Sequence, residues 1–374
     1  MKMTVQQTLR DLVAIDSVSA RSNAEVISYL EDWCRAKDLF VQRFPYADDK
    51  GVEKTNLVAR TSKEVAVQLA LVGHTDTVPF DPQWTEALGL REEEGKLFGR
   101  GACDTKAFIA CALTALDAID LKSLKQPLAL VFTADEEIGC IGAKRLADLR
   151  PFQARHAIVG EPTSLQPMRA GKGYCLAEII VHGREAHSAY PHLGSLAIFR
   201  AARLVGRIET IATELHSDSR PDFDPPYTTL NVGLINGGSA KNILAGECRF
   251  TLEWRTIPGQ PSDYLLQLIQ NAISDLQKDD PDFNCEVNAS RADESFETSA
   301  DSELVAFLSE ASGKEPGTIA FGTEAPSMIA LGAEPVVFGP GDIRVAHRTG
   351  EFVPIGELND CVRILARAIK NFGR

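Results

Sequence analysis

The stretch "LVGHTDTVPF", Leu71 to Phe80, decides how the rest of the chain is read. It completes an apolar run from Ala66 to Val72 with the length and bulk of a buried strand. A buried strand has no packing reason to end in two polar groups one residue apart, His74 and Asp76, and then to stop at Pro79. Residues i and i+2 share one face of an extended chain, so imidazole and carboxylate can converge on one object at the strand's C-terminal end. Taken alone, the pair could equally be a histidine satisfied by a neighbouring acid, or turn chemistry before the proline.

Other segments repeat the pattern. Short apolar runs occur at Val65–Val72, in "PLALVFTA" from Pro127, in "HAIVG" from His156 and in "EPVVFG" from Glu334. An amphipathic helix opens the chain, with Leu9, Leu12 and Val13 on one face, and another closes it from about Ile355 to Lys370. A third is expected from about Asp104 to Ile119, where Phe108, Cys111, Ala115, Leu116 and Ile119 recur at helical spacing. Strands alternating with helices predict an α/β fold, a doubly wound and mostly parallel sheet. The middle of the chain differs. From "YCLAEIIVHG" to "DFNCEVNAS" the order is β-α-β-β-α-β, the pattern of a compact two-layer unit. A chain of 374 residues exceeds the usual size of a single core. The expected organisation is a catalytic domain of residues 1–172 and 292–374, interrupted by an inserted lid domain of residues 173–291. "GKG" from Gly171 and "SRADES" from Ser290 would carry the chain into and out of the insert.

Bulk properties exclude several classes. A net charge of −13 argues against nucleic acid or an anionic membrane as partner. No apolar run approaches membrane-spanning length, and the N-terminus lacks the pattern of a signal peptide. The 8 cysteines are scattered, with no Cys-x-x-Cys pair, which suits core thiols in a reducing cytoplasm. Cys103 and Cys140 lie beside interesting carboxylates, yet no base is placed to make either a nucleophile. Gly-x-Ser-x-Gly, His-Glu-x-x-His, Walker and Pro-Cys-x-x-Cys deaminase signatures are all missing, which speaks against serine hydrolases, single-zinc proteases, NTPases and base deaminases.

In doubly wound sheets, ligands bind beyond the carboxyl ends of the strands. His74 and Asp76 follow the first run, Glu136 and Glu137 the second and Glu161 the third. His347 lies in the loop after the fourth, and Asp104 opens the helix between the first two. Each has a bland reading: a helix cap for Asp104, a solvated loop for the Glu-Glu pair, a turn for Glu161, a surface position for His347. Gathered at one edge, however, the carboxylates would repel one another and raise one another's pKa values, a cost that divalent cations remove. Imidazole with carboxylate suits zinc, whereas calcium takes oxygen ligands only. Two ions are expected, with His74 and Glu161 on one, Glu137 and His347 on the other, and Asp104 between them. Asp76 would fix the tautomer of His74, and Glu136 would be free to act as general base on the attacking water.

At these residues the chain resembles a known family. "GHTDTVPFD…W…GKLFGRGACDTK", "TADEEIGCIGAKRL", "VGEPTSLQPMRAGKG", "GREAHSAYPHLG" and "FGTEAPSMIALG…GPG…AH" together resemble the di-zinc amidohydrolases. That family includes aminoacylases, succinyl-diaminopimelate desuccinylase, carboxypeptidase G and the acetylornithine deacetylases, and "GEPTSLQP" and "FGTEAP" look most like the last group. The resemblance spans nearly the whole chain; "CDTK" departs from the Asp-Met-Lys or Asp-Gly-Lys expected at the metal loop. It implies two Zn²⁺ per chain (with Co²⁺ as a substitute), a cis peptide after Asp104, and a homodimer joined through the lid. It also implies that His187 reaches the partner subunit's site to stabilise the oxyanion, and that Asn242 and Arg255 bind the substrate's α-carboxylate. Glu324 would meet the substrate's side-chain end or surround the metals. The implied reaction is removal of an acetyl group from N2-acetyl-L-ornithine in arginine biosynthesis. Acetylcitrulline or another N-acyl amino acid, desuccinylation and dipeptide hydrolysis are alternatives. A non-catalytic amino-acid-binding relative is the reading from a different class.

Overall fold

In the computed structural model, which describes residues 3–374, the chain begins with helices α1 (Val5–Ala14) and α2 (Ala24–Arg35). A hairpin of β1 (Phe40–Ala47) and β2 (Glu53–Arg60) precedes β3 (Ala66–His74), the run that ends in His74. Then come the short strands β4 (Arg91–Glu93) and β5 (Lys96–Phe98), helix α3 (Lys106–Asp117), β6 (Leu128–Thr133), α4 (Ile141–Leu149), β7 (Gln153–Val159) and β8 (Met168–Gly171). The following stretch contains β9 (Tyr174–His182), α5 (Ala197–Glu214), β10 (Thr229–Gly237), β11 (Glu247–Arg255), α6 (Tyr264–Asp279) and β12 (Asn284–Asp293). The chain ends with β13 (Phe296–Glu297), α7 (Glu303–Ser312), β14 (Gly317–Ile319), α8 (Ala325–Ala330), β15 (Glu334–Val337), β16 (Phe352–Pro354) and α9 (Ile355–Phe372).

Among the described residues two units result, one of residues 3–169, 297–317 and 323–374, the other of 170–296 with the short return 318–322. That return lies outside the 173–291 segment expected from the sequence. The first unit is built on a sheet in the order β1-β2-β6-β3-β7-β15-β8-β13. Its four middle strands, β6, β3, β7 and β15, are parallel. β2 joins β6, and β8 joins β15, antiparallel, so the sheet is mixed at its margins. The β1–β2 hairpin was not anticipated from the sequence. The parallel strands finish level: His74 is in register with Thr133, Val72 with Val159, and Val159 with Val337. Continuous burial along β3 and β6 explains why they lack alternating polar residues: both faces are covered. Helix α3 lies against the sheet so closely that a Cβ on Gly160 would sit 2.2 Å from the Phe108 ring. That approach sets the helix start, and so Asp104, beside the strand ends. Burial of Phe108 itself contributes about 1.5–3 kcal/mol.

The second unit is a four-stranded antiparallel sheet, order β10-β11-β9-β12, with the β-α-β-β-α-β connectivity expected. Leu204 and Ile208 of α5 and Leu265 and Ile269 of α6 pack with Phe250, Leu252 and Trp254 of β11 in its core. β10 is an edge strand that leaves Leu234 65% and Ile235 52% exposed, and Phe199 on α5 is 66% exposed.

Candidate metal centre

The level ends of the parallel strands bring the expected groups of the first unit together. Asp104 lies between two imidazoles, its Oδ1 3.1 Å from His74 Nε2 and its Oδ2 3.2 Å from His347 Nε2. His347 Nε2 is also 3.0 Å from Glu137 Oε2. His74, Asp104 and Glu137 each offer a ligand atom within 4.8 Å of the others. Glu161 is 4% exposed and feels Asp104, Glu136, His74 and Glu137. The Asp104–Thr105 peptide is cis.

The donor set fits divalent cations. Two ligands on one tetrahedral zinc, bonded at 2.0–2.1 Å, stand about 3.3 Å apart, close to the imidazole–carboxylate separations here. The electrostatics point the same way. Burial, then the Asp104 and Glu136 charges, holds the Glu161 carboxyl well above its ordinary range. Burial with the Glu137, Glu324 and Asp104 charges pushes Glu136 up to about 8, against the pull of His74. Hydrogen bonds to Asp104 and Glu137 push His347 up to about 10. Such a cluster holds more buried negative charge than its imidazoles can balance, and cations at its centre would reverse these shifts.

The loops are fastened by residues outside the expected set. Glu351, fully buried and bonded to Arg100 at 2.5 Å, accepts the backbone N–H of Cys103 (2.8 Å) and Asp104 (3.0 Å). Asn56 spans the glutamate loop: its Oδ1 accepts from Ala134 N at 3.0 Å and its Nδ2 donates to Gly142 O at 2.9 Å. A Cβ at Gly142 would stand 2.4 Å from both Asn56 Oδ1 and Ala134 O, so the clamp requires glycine there. Lys54, 1% exposed, pairs with Asp135 at 2.9 Å, and Tyr46 donates to the same carboxylate at 2.9 Å. Cys140 Sγ lies 3.3 Å from Glu136 Oε1. Neither Asn56 nor Glu351 carries a local motif; only their burial in the fold reveals them.

One expectation needs correction, and the surroundings of three other residues are now defined. His74 Nδ1 meets the backbone carbonyl of Asp76 at 3.0 Å, while the Asp76 carboxylate is 3.7 Å away. That carboxylate instead accepts Ser19 Oγ (2.7 Å) and the backbone N–H of Glu136 (3.1 Å) and Glu137 (3.3 Å). Asp76 therefore fixes the imidazole through its backbone and the glutamate loop through its side chain. Glu324 is 1% exposed, beside His74 and Asp76, and burial pushes it up to about 7. It also acts on the Glu136 carboxylate, so it belongs to the same buried group of charges. Asn242 and Arg255 lie toward opposite ends of β11. Ser188 N donates to Asn242 O at 3.0 Å and His187 bridges Ile243, so Asn242 sits with the exposed His187. Arg255 ends β11, whose nine residues at about 3.3 Å each run roughly 26 Å from the Asn242 end. There its guanidinium lies 4.2 Å from the Tyr174 ring and donates to Glu253 Oε1 (3.0 Å) and Ala320 O (3.0 Å).

The sequence profile of peptidase family M20/M25/M40 matches residues 70–371. The acetylornithine deacetylase of Myxococcus xanthus is 53% identical over 371 residues, covering 98% of this chain and 97% of that protein. The acetylornithine deacetylase of Proteus mirabilis (strain HI4320) is 33% identical over 378 residues, covering 99% of this chain and 97% of that protein. Among solved structures, a tripeptidase from Staphylococcus aureus is similar in fold, with a TM-score of 0.79 at 23% identity over 100% of both chains.

Proposed function

The chain belongs to peptidase family M20/M25/M40, and from that premise we propose that it hydrolyses the amide of N2-acetyl-L-ornithine to L-ornithine and acetate. The observation that carries this reading is the cluster at the strand ends: ligand-type groups touch one another through Asp104, and the buried carboxylate of Glu136 stands beside them. A pure binding protein has no use for that extra acid.

His74 and Glu161 would hold one divalent ion, Glu137 and His347 a second, with Asp104 shared. Zinc suits the donors, cobalt can replace it, and bound ions supply Lewis-acid polarisation of the scissile carbonyl. Glu136 takes a proton from the attacking water and delivers it to the leaving α-amine, a role worth about 10²–10⁴-fold. Asp76 holds the N–H groups of Glu136 and Glu137, fixing where that carboxylate stands. Arg255 receives the α-carboxylate as a planar, always-charged donor. His187 donates to the oxyanion. Because Asn242 shares its corner of the fold, the two are supplied together by a second copy of the chain. Phe199, Leu234 and Ile235 of the second unit are exposed apolar side chains that such a homodimer could cover. Eight free cysteines support a cytoplasmic setting, as expected of arginine biosynthesis.

The test is kcat/KM for acetylornithine, acetylcitrulline, acetylmethionine and succinyl-diaminopimelate side by side. Acetylornithine leads, and Arg255→Leu raises KM at least tenfold by leaving the carboxylate unpaired, a loss of about 1.4 kcal/mol or more. A lead for acetylcitrulline would leave the family standing and overturn the substrate.

A further inference from the structure

We propose that Cys140 is a positioning residue for Glu136, its thiol tying down one carboxylate oxygen so that the other meets the proton. The proposal rests on the reading of Glu136 as general base. Cys140 is the residue before α4, in the left-handed region at φ 53°, ψ 33°, and is 2% exposed. It closes one turn with Glu136 twice. Its backbone N–H donates to Glu136 O at 2.9 Å, and its S–H donates to Glu136 Oε1 at 3.3 Å. A left-handed backbone at a residue other than glycine, asparagine or aspartate is uncommon, and such positions gather at sites where side-chain placement has a purpose.

Several features make the thiol more than packing. The backbone of the base is already fixed, by Asp76 at the Glu136 N–H and by Gly139 and Cys140 at its carbonyl. What remains free is the carboxylate's own rotation, and the thiol holds one of its ends. Burial keeps water from replacing the thiol as donor. A thiol is also a weak donor, so it orients a carboxylate without competing strongly for the proton that the base must accept and release. A hydroxyl could do the same; a methyl group could not.

The test compares Cys140→Ser, which keeps a donor, with Cys140→Ala and Cys140→Val, which do not, at matched metal content. Ala and Val should lower kcat about three- to tenfold with KM unchanged, the effect of one weak hydrogen bond, while Ser stays near the parent. In a Glu136→Gln background the Cys140→Ala effect should shrink. A second measurement needs no Cys140 variant: the infrared S–H stretching region of metal-free protein should show one thiol band that moves when Glu136 becomes Gln. Equal kcat for Ala and the parent, equal losses in Ser and Val, or an S–H spectrum indifferent to Glu136→Gln would each overturn the proposal. Near-parental turnover of Glu136→Gln itself would instead remove the base assignment on which the proposal stands.

Discussion

Glu136 and Glu137 hang from the same carboxylate, since Asp76 accepts both of their backbone N–H groups. Their side chains then diverge: Glu137 reaches His347 at 3.0 Å, and Glu136 turns to Cys140. Removing the charge from each should have different effects. Glu136→Gln should bind metal as the parent does while kcat falls about 10²–10⁴-fold. Glu137→Gln should lose metal occupancy, measured on dialysed protein, with activity returning as metal is added in excess. Equal metal loss in both variants would show that the roles are not divided. At this scale the sequence was informative about residue type and silent about atoms. The spacing of His74 and Asp76 says that they share a face, but not that the carbonyl of Asp76 takes the imidazole while its carboxylate takes the next loop. The separation of Asn242 from Arg255 likewise depends on a strand lying between them.

At the scale of elements, the apolar runs were easily read because strands buried on both faces carry no polar alternation. The β1–β2 hairpin was not read. "FVQRFPYA" places Arg43, Pro45 and Tyr46 along an edge strand whose partial exposure tolerates them, and such composition resembles a loop. The opposite end of the sheet holds a group that no motif announced. His156 on β7 is 1% exposed, its ring tilted 58° against that of Phe372 of α9 with centroids 4.9 Å apart. Its nitrogens stand 3.8 Å from Glu303 of α7 and 3.6 Å from Glu334 of β15, and neither makes a hydrogen bond among the described residues. Burial, helped by Arg155, lowers its pKa below the ordinary 6.5, against the pull of Glu334 and Glu303. The fold therefore prefers the neutral ring. That preference contributes stability fully above about pH 6.5 and loses it as pH falls through the depressed folded value. His156→Phe, which keeps an aromatic ring against Phe372 and cannot titrate, should lose less melting temperature than the parent between about pH 7.5 and about pH 5. The comparison belongs on metal-free protein, where ligand protonation is common to both. Parallel losses would mean that His156 keeps its ordinary titration in the fold.

For the whole molecule, the prediction concerns assembly. If His187 and Asn242 act in a partner's site, neither His187→Ala nor Glu136→Gln chains should work alone, yet mixing them should restore about one competent site per mixed dimer. Absence of recovery after proven subunit exchange would mean that each chain uses its own His187. The β-α-β-β-α-β order of the second unit was legible because it breaks the preceding alternation, whereas the return of residues 318–322 to that unit leaves no mark in composition. The division of the first unit also has a consequence for synthesis. His74, Asp104, Glu137 and Glu161 leave the ribosome early, but β15, which covers the open edge of β7, and His347 emerge only after the whole insert has been made. Domains generally fold as units from the N-terminal side. Here the insert can fold first while the interrupted sheet waits with one strand edge uncovered, prone to pairing with a neighbouring nascent chain. The full set of candidate ligands can therefore assemble only after the last segment, with His347, has been made.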